Sequence, residues 1–459
     1  MSPLRGIVIA ANVSRRTGRQ RIDVPTQTCR VVFNIGIAEG GGQRPETALS
    51  NPGLLRYIQR PNFVRVFRRE PWKASVDVLK PCQGLRVALI SGTLGQGGAE
   101  KQVVYIARAL RDAGADVKVY SMRPGEFHEP ILKSFGFEVF YLGDRSTNPF
   151  LRLAVLLKDL SKFRPHVVQS GHFWANFYSG IAGRLRRAVA VGALRSTLQA
   201  DLRDFSPWGP WLLRLPTYLL ANSQSAKRAA EAYGLRPGRT LVLPNAIDLE
   251  QFDALHLAAS RELRADAGPV VVAVGRLVPA KRFDRFIKAL ASARHRVKNL
   301  SGLLIGDGPE RPRLEQQARQ MALLPYGLRF TGRRDDVPAL LAHADVLALS
   351  SDDEGFPNVL LEAMTARLPV VTTPAGDAAE VVDEGVTGFV VPFEDSAAMT
   401  ERFVRLAETP ELRQRMGEAG RRRVEERFSL DELAGNLVKA YCCMAEQSQN
   451  RELRRILCQ

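Results

Sequence analysis

Cysteine is scarce, with five in 459 residues, at Cys29, Cys82, Cys442, Cys443 and Cys458. None has a C-x-x-C partner, which excludes the common zinc and dithiol motifs. An odd number scattered along a long chain points to reduced thiols and a cytoplasmic location. Adjacent Cys442 and Cys443 read as structural thiols in a helix. No uncharged apolar run approaches the ~20 residues of a membrane-crossing helix, and the apolar stretch Gly6–Val13 is short and lacks a cleavage site. No glycine-rich loop ends in GK[ST], which excludes a P-loop. There is no repeat at solenoid period. No D-x-D stands in a suitable place, so no metal is expected.

What is abundant is positive charge: 65 Lys/Arg against 48 Asp/Glu, a net +17. Residues 1–84 hold 14 Lys/Arg and 5 Asp/Glu, about half the surplus in under a fifth of the chain. Such a surplus favours anionic partners. No stacking aromatics interleave with the cations as a base reader would need, so nucleic acid is not an expected partner. Residues 1–84 also lack hydrophobic periodicity and carry the glycine-rich stretch Glu39–Pro45. They read as a basic, poorly ordered extension, or as the product of a misassigned start codon.

From Leu85 onward, short apolar runs alternate with amphipathic helices. Strands are predicted at Leu85–Ile90, Asp116–Tyr120, Phe137–Tyr141, His166–Gln169, Val189–Leu194 and Tyr218–Ala221, with helices that include Gly97–Asp112, Pro149–Lys162, Ala175–Leu185 and Ser223–Tyr233. The turn-like Pro244–Asp248 and a polar stretch to Gly268 interrupt the pattern. A second series follows, with strands at Val270–Val274, Gly302–Ile305, Leu328–Phe330, Val346–Ala348, Pro369–Thr372 and Gly388–Val391, and helices that include Lys281–Arg296, Glu310–Met321 and Pro357–Ala366. A last helix near Asp431–Ala445 leads into a basic tail. Continuous apolar strands between helices mean parallel sheets covered on both faces. The fold class is therefore α/β, with two doubly wound domains (85–246 and 247–430) facing across a cleft and a terminal helix and tail (431–459) that return to the first domain. Ligands of such folds bind at the carboxyl ends of the strands.

Five segments at strand ends carry candidate chemistry. In Ser350–Met364 (SSDDEGFPNVLLEAM), Gly355, Phe356, Pro357, Asn358 and Val359 form a turn into a helix whose free N–H groups and dipole suit an anion or polar sugar groups. Glu354 precedes the turn and Glu362 lies further along the helix. A capping loop with two solvated acids fits the spacing equally well. In Val274–Arg282 (VGRLVPAKR), Gly275 permits close backbone approach, while Arg276 and Lys281 together can neutralise a diphosphate. In Leu304–Glu310, Gly306, Asp307 and Gly308 form a tight turn able to contact a flat base. In Gly92–Glu100, Gly97 and Gly98 belong to a glycine-rich loop that is not a clean G-x-G-x-x-G. His172 follows a strand end and is either a polar contact to a substrate or a core histidine bonded to a carbonyl.

Taken in order, GGAE, GRL…K, G-D-G-P and E-x(7)-E resemble the family 4 retaining glycosyltransferases of GT-B architecture, over roughly Leu85 to Tyr441. Pro244–Asp248 is similar to the family's hinge motif, with Ala246 where glycine is usual. The resemblance implies two Rossmann-like domains and a nucleoside-diphosphate sugar (UDP or GDP) as donor, with no cofactor. It implies that Arg276 and Lys281 hold the diphosphate and Glu362 the ribose. Glu354 and Gly355–Val359 would hold the sugar, with Gly275 in the diphosphate loop and Gly306, Asp307 and Gly308 beside the base. Gly97 and Gly98 would close the site from the other domain, and His172 would be that domain's histidine near the sugar. The implied catalytic set is Glu354, Arg276, Lys281 and His172. The implied activity is metal-independent transfer of a hexose to a glycan or polyprenyl-linked acceptor in cell-envelope or exopolysaccharide synthesis. A non-catalytic sugar-nucleotide binder and a sugar-nucleotide epimerase are the alternatives.

The acceptor side is less legible. Trp208 and Trp211 lie beside Arg203 and Arg214, and Pro149–Arg164 is basic and amphipathic. These residues fit either peripheral contact with anionic membrane on its inner face or ordinary helix packing.

Overall fold

In a computed structural model, residues 81–143, 147–257, 268–448 and 450–457 are described. The expected basic extension falls outside them, apart from residues 81–84, as do Cys29 and Cys458.

Two parallel sheets organise these residues. The first has seven strands: β1 (Arg86–Ser91), β2 (Asp116–Ser121), β3 (Val139–Tyr141), β4 (Val167–Ser170), β5 (Val189–Leu194), β6 (Tyr218–Ala221) and β7 (Thr240–Val242), in the order β3-β2-β1-β4-β5-β6-β7. The second has six: β8 (Val270–Val274), β9 (Ser301–Ile305), β10 (Leu328–Gly332), β11 (Val346–Leu349), β12 (Val370–Thr372) and β13 (Gly388–Val390), in the order β10-β9-β8-β11-β12-β13. Strand order reverses beside β1 in one sheet and beside β8 in the other. Crevices at strand carboxyl ends open at such reversals.

The central strands are mostly apolar because helices cover both faces. Every residue of β4, β5, β6 and β11 is buried. The helix Gly98–Asp112 buries Val103, Ile106, Ala107 and Leu110 against the first sheet, the spacing that a 3.6-residue period requires. In the second sheet Phe286, Ile287 and Leu290 do the same from the helix Phe283–Arg296.

The chain passes between the two sheets at two adjacent points. Ile247 pairs with Ser429, and its N–H donates to the Phe428 carbonyl at 2.8 Å. Beyond that point Ser429 Oγ accepts from the Glu432 N–H and starts the helix Leu430–Gln447. This helix buries Leu433, Leu437, Tyr441 and Met444 in the core of the first sheet, where the Tyr441 hydroxyl donates to Gln169 Oε1 at 2.6 Å. Cys442 and Cys443 lie in it, and the Cys442 thiol donates to the Leu457 carbonyl at 3.2 Å. Burial pushes the Cys82 thiol up to about 11.

Several elements differ from the sequence expectation. The basic tail is a helix, Arg451–Leu457, that buries Leu453 and Leu457. The polar stretch after the hinge contains the helix Leu249–Leu257, capped by Asp248 Oδ1 accepting from the Gln251 N–H at 3.1 Å. Lys281 does not begin the Phe283–Arg296 helix. It ends a 3-10 turn, Pro279–Lys281, and the left-handed Arg282 (φ 47) separates the two. Among the described residues, no helix is long and apolar enough to cross a membrane.

Candidate functional site

The loops after β8, β9 and β11 meet at the carboxyl edge of the second sheet. Gly275 (φ +156) ends β8, and a side chain there would meet Lys281 and the Phe283 ring. Gly306 (φ +142) ends β9, where a Cβ would overlap the Gly275 carbonyl oxygen. These two turns lie backbone on backbone, which only glycine permits. The Leu277 N–H donates to the Asp307 carbonyl at 2.9 Å and locks them together. Asp307 turns outward. The Gly308 N–H (2.8 Å) and Arg311 (2.9 Å) hold its carboxyl below the usual range.

Lys281 reaches back from its 3-10 turn, with Nζ 2.6 Å from Glu354 Oε1, and the Ser351 hydroxyl donates to the same oxygen at 2.6 Å. Ser350 Oγ donates to the Lys281 carbonyl at 3.0 Å, and the Asp352 N–H to the Ala280 carbonyl at 2.9 Å. Arg285, 2% exposed, braces the same loop through the Ser350 carbonyl (2.8 Å) and Asp352 (2.9 Å). The predicted lysine and first glutamate are therefore in contact. Arg276 lies on the Lys281 loop, exposed and without a carboxylate partner among the described residues.

The helix Asn358–Thr365 follows, with Pro357 at its N-cap. The Phe356 ring is 8% exposed and stacks edge-on against Phe428 in the core, so only its backbone faces outward. Glu362 does not approach Glu354's partner. Its Oε1 lies 3.3 Å from Lys101 Nζ, on the helix of the first sheet.

The first sheet supplies the opposite wall. Gly98 comes so close that a Cβ would overlap the Asn358 amide, and a Cβ on Gly97 would overlap the Glu100 carboxylate. A Cβ on Gly355 would sit 2.9 Å from the Arg195 carbonyl oxygen. Asn245 Nδ2 donates to Asn358 Oδ1 at 2.8 Å, and Thr197 Oγ1 to Asp353 at 2.9 Å. Asp377 accepts from the N–H groups of Gln224 (2.6 Å) and Ser225 (2.9 Å), so a carboxylate of one half caps a helix of the other. Ala246 is clamped through its N–H and carbonyl by Gln102. It is not among the residues of positive φ, so its methyl group costs nothing there.

His172 is 12% exposed. Its Nδ1 accepts the Gly92 N–H at 3.1 Å, which leaves the proton on Nε2, 3.5 Å from Glu100 Oε1. Burial raises the Glu100 carboxyl, but the His172 contact and charge more than offset it and hold it below the usual range. Two residues of this site escaped sequence reading, Lys101 and Arg195, while Glu100 and Asn245 lay within the GGAE and hinge motifs without an assigned role. Arg195 directly follows β5, and a cation at a strand's carboxyl end was the available signal.

Two doubly wound halves with their strand-end loops face to face define the GT-B fold. A family model described as glycosyl transferases group 1 matches residues 259–423, and one described as glycosyltransferase family 4 matches 96–251. The chain is 35% identical over 419 residues to the Vi polysaccharide biosynthesis protein VipC/TviE of Salmonella typhi, covering 77% of this chain and 71% of that protein. It is 32% identical over 229 residues to the GDP-mannose-dependent alpha-(1-6)-phosphatidylinositol monomannoside mannosyltransferase of Mycobacterium tuberculosis, covering 47% and 59%. The crystal structure of HepE from Anabaena in complex with UDP and glucose superposes with a TM-score of 0.67 at 23% identity, over 77% of this chain and 98% of that one. The chain belongs to the family 4, or group 1, glycosyltransferases. Against several of its curated relatives the matched region spans only 49–59% of their length.

Proposed function

We propose that this protein is a retaining glycosyltransferase. It moves a hexose-type sugar from a nucleoside-diphosphate sugar to a hydroxyl of a glycan or lipid-linked acceptor in cell-envelope or polysaccharide synthesis. The observation that carries the reading is the Lys281–Glu354 contact at the mouth of the Asn358–Thr365 helix, opposite Gly98 and Arg195 of the other half. Arg276, Lys281 and the helix N-terminus stabilise the charge that develops on a departing diphosphate. Glu354 is set to bind the sugar, and Glu362, once released by Lys101, the two ribose hydroxyls. In this reading no carboxylate acts as nucleophile: the acceptor hydroxyl attacks from the face the diphosphate leaves, and the leaving phosphate takes its proton.

The base is either uracil or guanine. The named relatives differ on this point, one being GDP-mannose-dependent and one crystallised with UDP. Nucleoside-diphosphate release assayed with UDP-, GDP- and ADP-sugars, with NMR of the product anomer, tests the proposal. Release with retained configuration is expected. An epimerised sugar nucleotide without release would establish the epimerase alternative, and tight binding without turnover the non-catalytic one.

We place the acceptor face against the inner surface of an anionic membrane. Phe150 (68% exposed) and Trp211 (45%) both contact the half-buried Phe177 ring, with centroids 5.9 Å apart in each pair, which gathers exposed aromatics from two helices on one face. Leu151, Val155, Lys158 and Lys162 form the exposed stripe of the Pro149–Phe163 helix beside it. Apolar anchors rimmed by cations suit an anionic bilayer. Co-sedimentation with anionic vesicles is expected, and its loss in Trp211→Ser. Equal binding to zwitterionic vesicles, or none to either, contradicts the placement.

A further inference from the structure

Three cations border the seam between the halves near the Asn358–Thr365 helix or its loop: Lys101 on a helix, Lys281 on a 3-10 turn and Arg195 on a strand-end loop. Two are matched, Lys281 by Glu354 at 2.6 Å and Lys101 by Glu362 at 3.3 Å. The third is Arg195, at the carboxyl end of β5 and beside the β4 end that carries His172. Its carbonyl accepts from Asn222 Nδ2 at 2.9 Å, which fixes the backbone against Gly355. Its guanidinium donates to Asn245 Oδ1 at 3.2 Å, and Asn245 in turn donates to Asn358, the first residue of the helix. Among the described residues, no carboxylate lies within 4.0 Å of this guanidinium. Burial alone pushes its pKa down to about 10.

A half-buried cation with a single neutral acceptor is less favourable in the empty protein than a solvated or paired one. Among the described residues no carboxylate repays it, whereas a bound anion would. Arg195 also lies where the positive end of the Asn358–Thr365 helix adds to its own charge, and its planar fork suits two oxygens of one group. We propose that Arg195 is an oxyanion-binding residue of the seam, contributed by the half opposite Arg276 and Lys281, and that it takes a phosphate-type group. The group is either the donor's diphosphate or an anionic substituent of the acceptor. Only the choice between these sources rests on the glycosyltransferase reading.

The test is calorimetric titration of full-length wild type, Arg195→Gln and Arg195→Lys. Inorganic pyrophosphate and UDP are each titrated into the unliganded protein, and inorganic phosphate into protein saturated with UDP. Loss of one charge-assisted contact weakens binding roughly tenfold to hundredfold. If Arg195→Gln loses pyrophosphate and UDP affinity together by such a factor and Arg195→Lys recovers part of it, the oxyanion is the donor's. If UDP affinity is unchanged but Arg195→Gln no longer binds phosphate when loaded with UDP, the oxyanion belongs to the acceptor. The melting temperature of Arg195→Gln is expected to equal or exceed that of wild type, because the substitution removes an unmatched charge. Wild-type affinity for all three probes, or a marked fall in melting temperature, overturns the proposal in favour of a structural role. A wild type that binds pyrophosphate in an Arg195-dependent manner but no nucleotide would sink the sugar-nucleotide reading and leave the Arg195 site standing.

Discussion

Replacing Lys281 by alanine separates what the seam does for binding from what it does for stability. The ammonium sits 2.6 Å from Glu354 Oε1, with the two side chains 25% and 11% exposed. At an effective dielectric of about 20 the gross attraction is on the order of 6 kcal/mol. Desolvation of both groups and ordering of the lysine remove most of it, leaving a net of about 1–3 kcal/mol. Glu354 keeps the Ser351 hydroxyl as donor, so the carboxylate is not orphaned. With roughly 2.1 cal/mol/K of unfolding entropy per residue, a chain of this size loses only about 1–4 °C in melting temperature. The effect on function is expected to be larger. Loss of a preorganised cation facing a leaving group costs about 10²–10³ in turnover, and nucleoside-diphosphate affinity falls with it. Glu354→Gln is the companion variant. Its amide oxygen still accepts from Lys281 and Ser351, so diphosphate affinity holds while turnover falls through the sugar contact. Scanning fluorimetry gives the first quantity, and calorimetry with UDP and GDP plus diphosphate release gives the others. A Lys281→Ala protein that binds both nucleotides within about threefold of wild type would refute the reasoning.

Lys101→Met is expected to tighten nucleoside-diphosphate binding by roughly two- to fivefold, because a partly exposed bridge worth about 0.5–1 kcal/mol no longer occupies Glu362. Weaker binding would show that Lys101 holds the ligand itself. Gly355→Ala places a methyl 2.9 Å from the Arg195 carbonyl oxygen and 3.0 Å from Ser196 Cα. The halves are then held apart and turnover falls at least tenfold (an order-of-magnitude figure) with little change in melting temperature. Wild-type turnover would show that this approach is dispensable. Asp201 is 8% exposed, and burial lifts its carboxyl to about 6 despite a Ser196 hydrogen bond. A raised acid is more protonated in the native state than in the unfolded one, so its penalty is absent below about pH 4, grows as pH rises toward 6, and is complete above. Asp201→Asn should remove a destabilisation of up to about 3 kcal/mol at pH 7 and none at pH 4. Parallel stability profiles of the two proteins between pH 4 and 7 would contradict this.

The strand-end motifs were legible because the residues that define them are the ones geometry cannot replace. Gly306 lies against Gly275, Gly98 against Asn358 and Gly355 against Arg195. The long apolar strands were equally plain. Elements shorter than two helical turns, such as Glu129–Ser134, Gly209–Arg214 and Val337–Leu341, carry no period to detect. The helix Leu249–Leu257 was masked because only Phe252 of its nine residues is buried. The sequence pattern starts a helix at Lys281 because it gives no sign that Arg282 adopts a left-handed conformation. The bridge from Lys101 to Glu362 joins residues 261 positions apart, and the chain from Arg195 through Asn245 to Asn358 joins three separate segments. Such meetings follow from how two sheets are set against each other, which no local pattern encodes. Phe356 illustrates the reverse, a residue in a ligand-like motif whose ring serves the core.

The adjacent pairing of Ile247 with Ser429 has a topological consequence. The second sheet is carried by a continuous stretch that leaves and rejoins the first at neighbouring points, while the helices after Ser429 remain with the first. The second half is therefore an insert with its ends side by side. A recombinant exchange of donor specificity has to cut at both points and graft one loop-like cassette, because a single crossover at the hinge would strip the first sheet of Leu433, Leu437 and Tyr441.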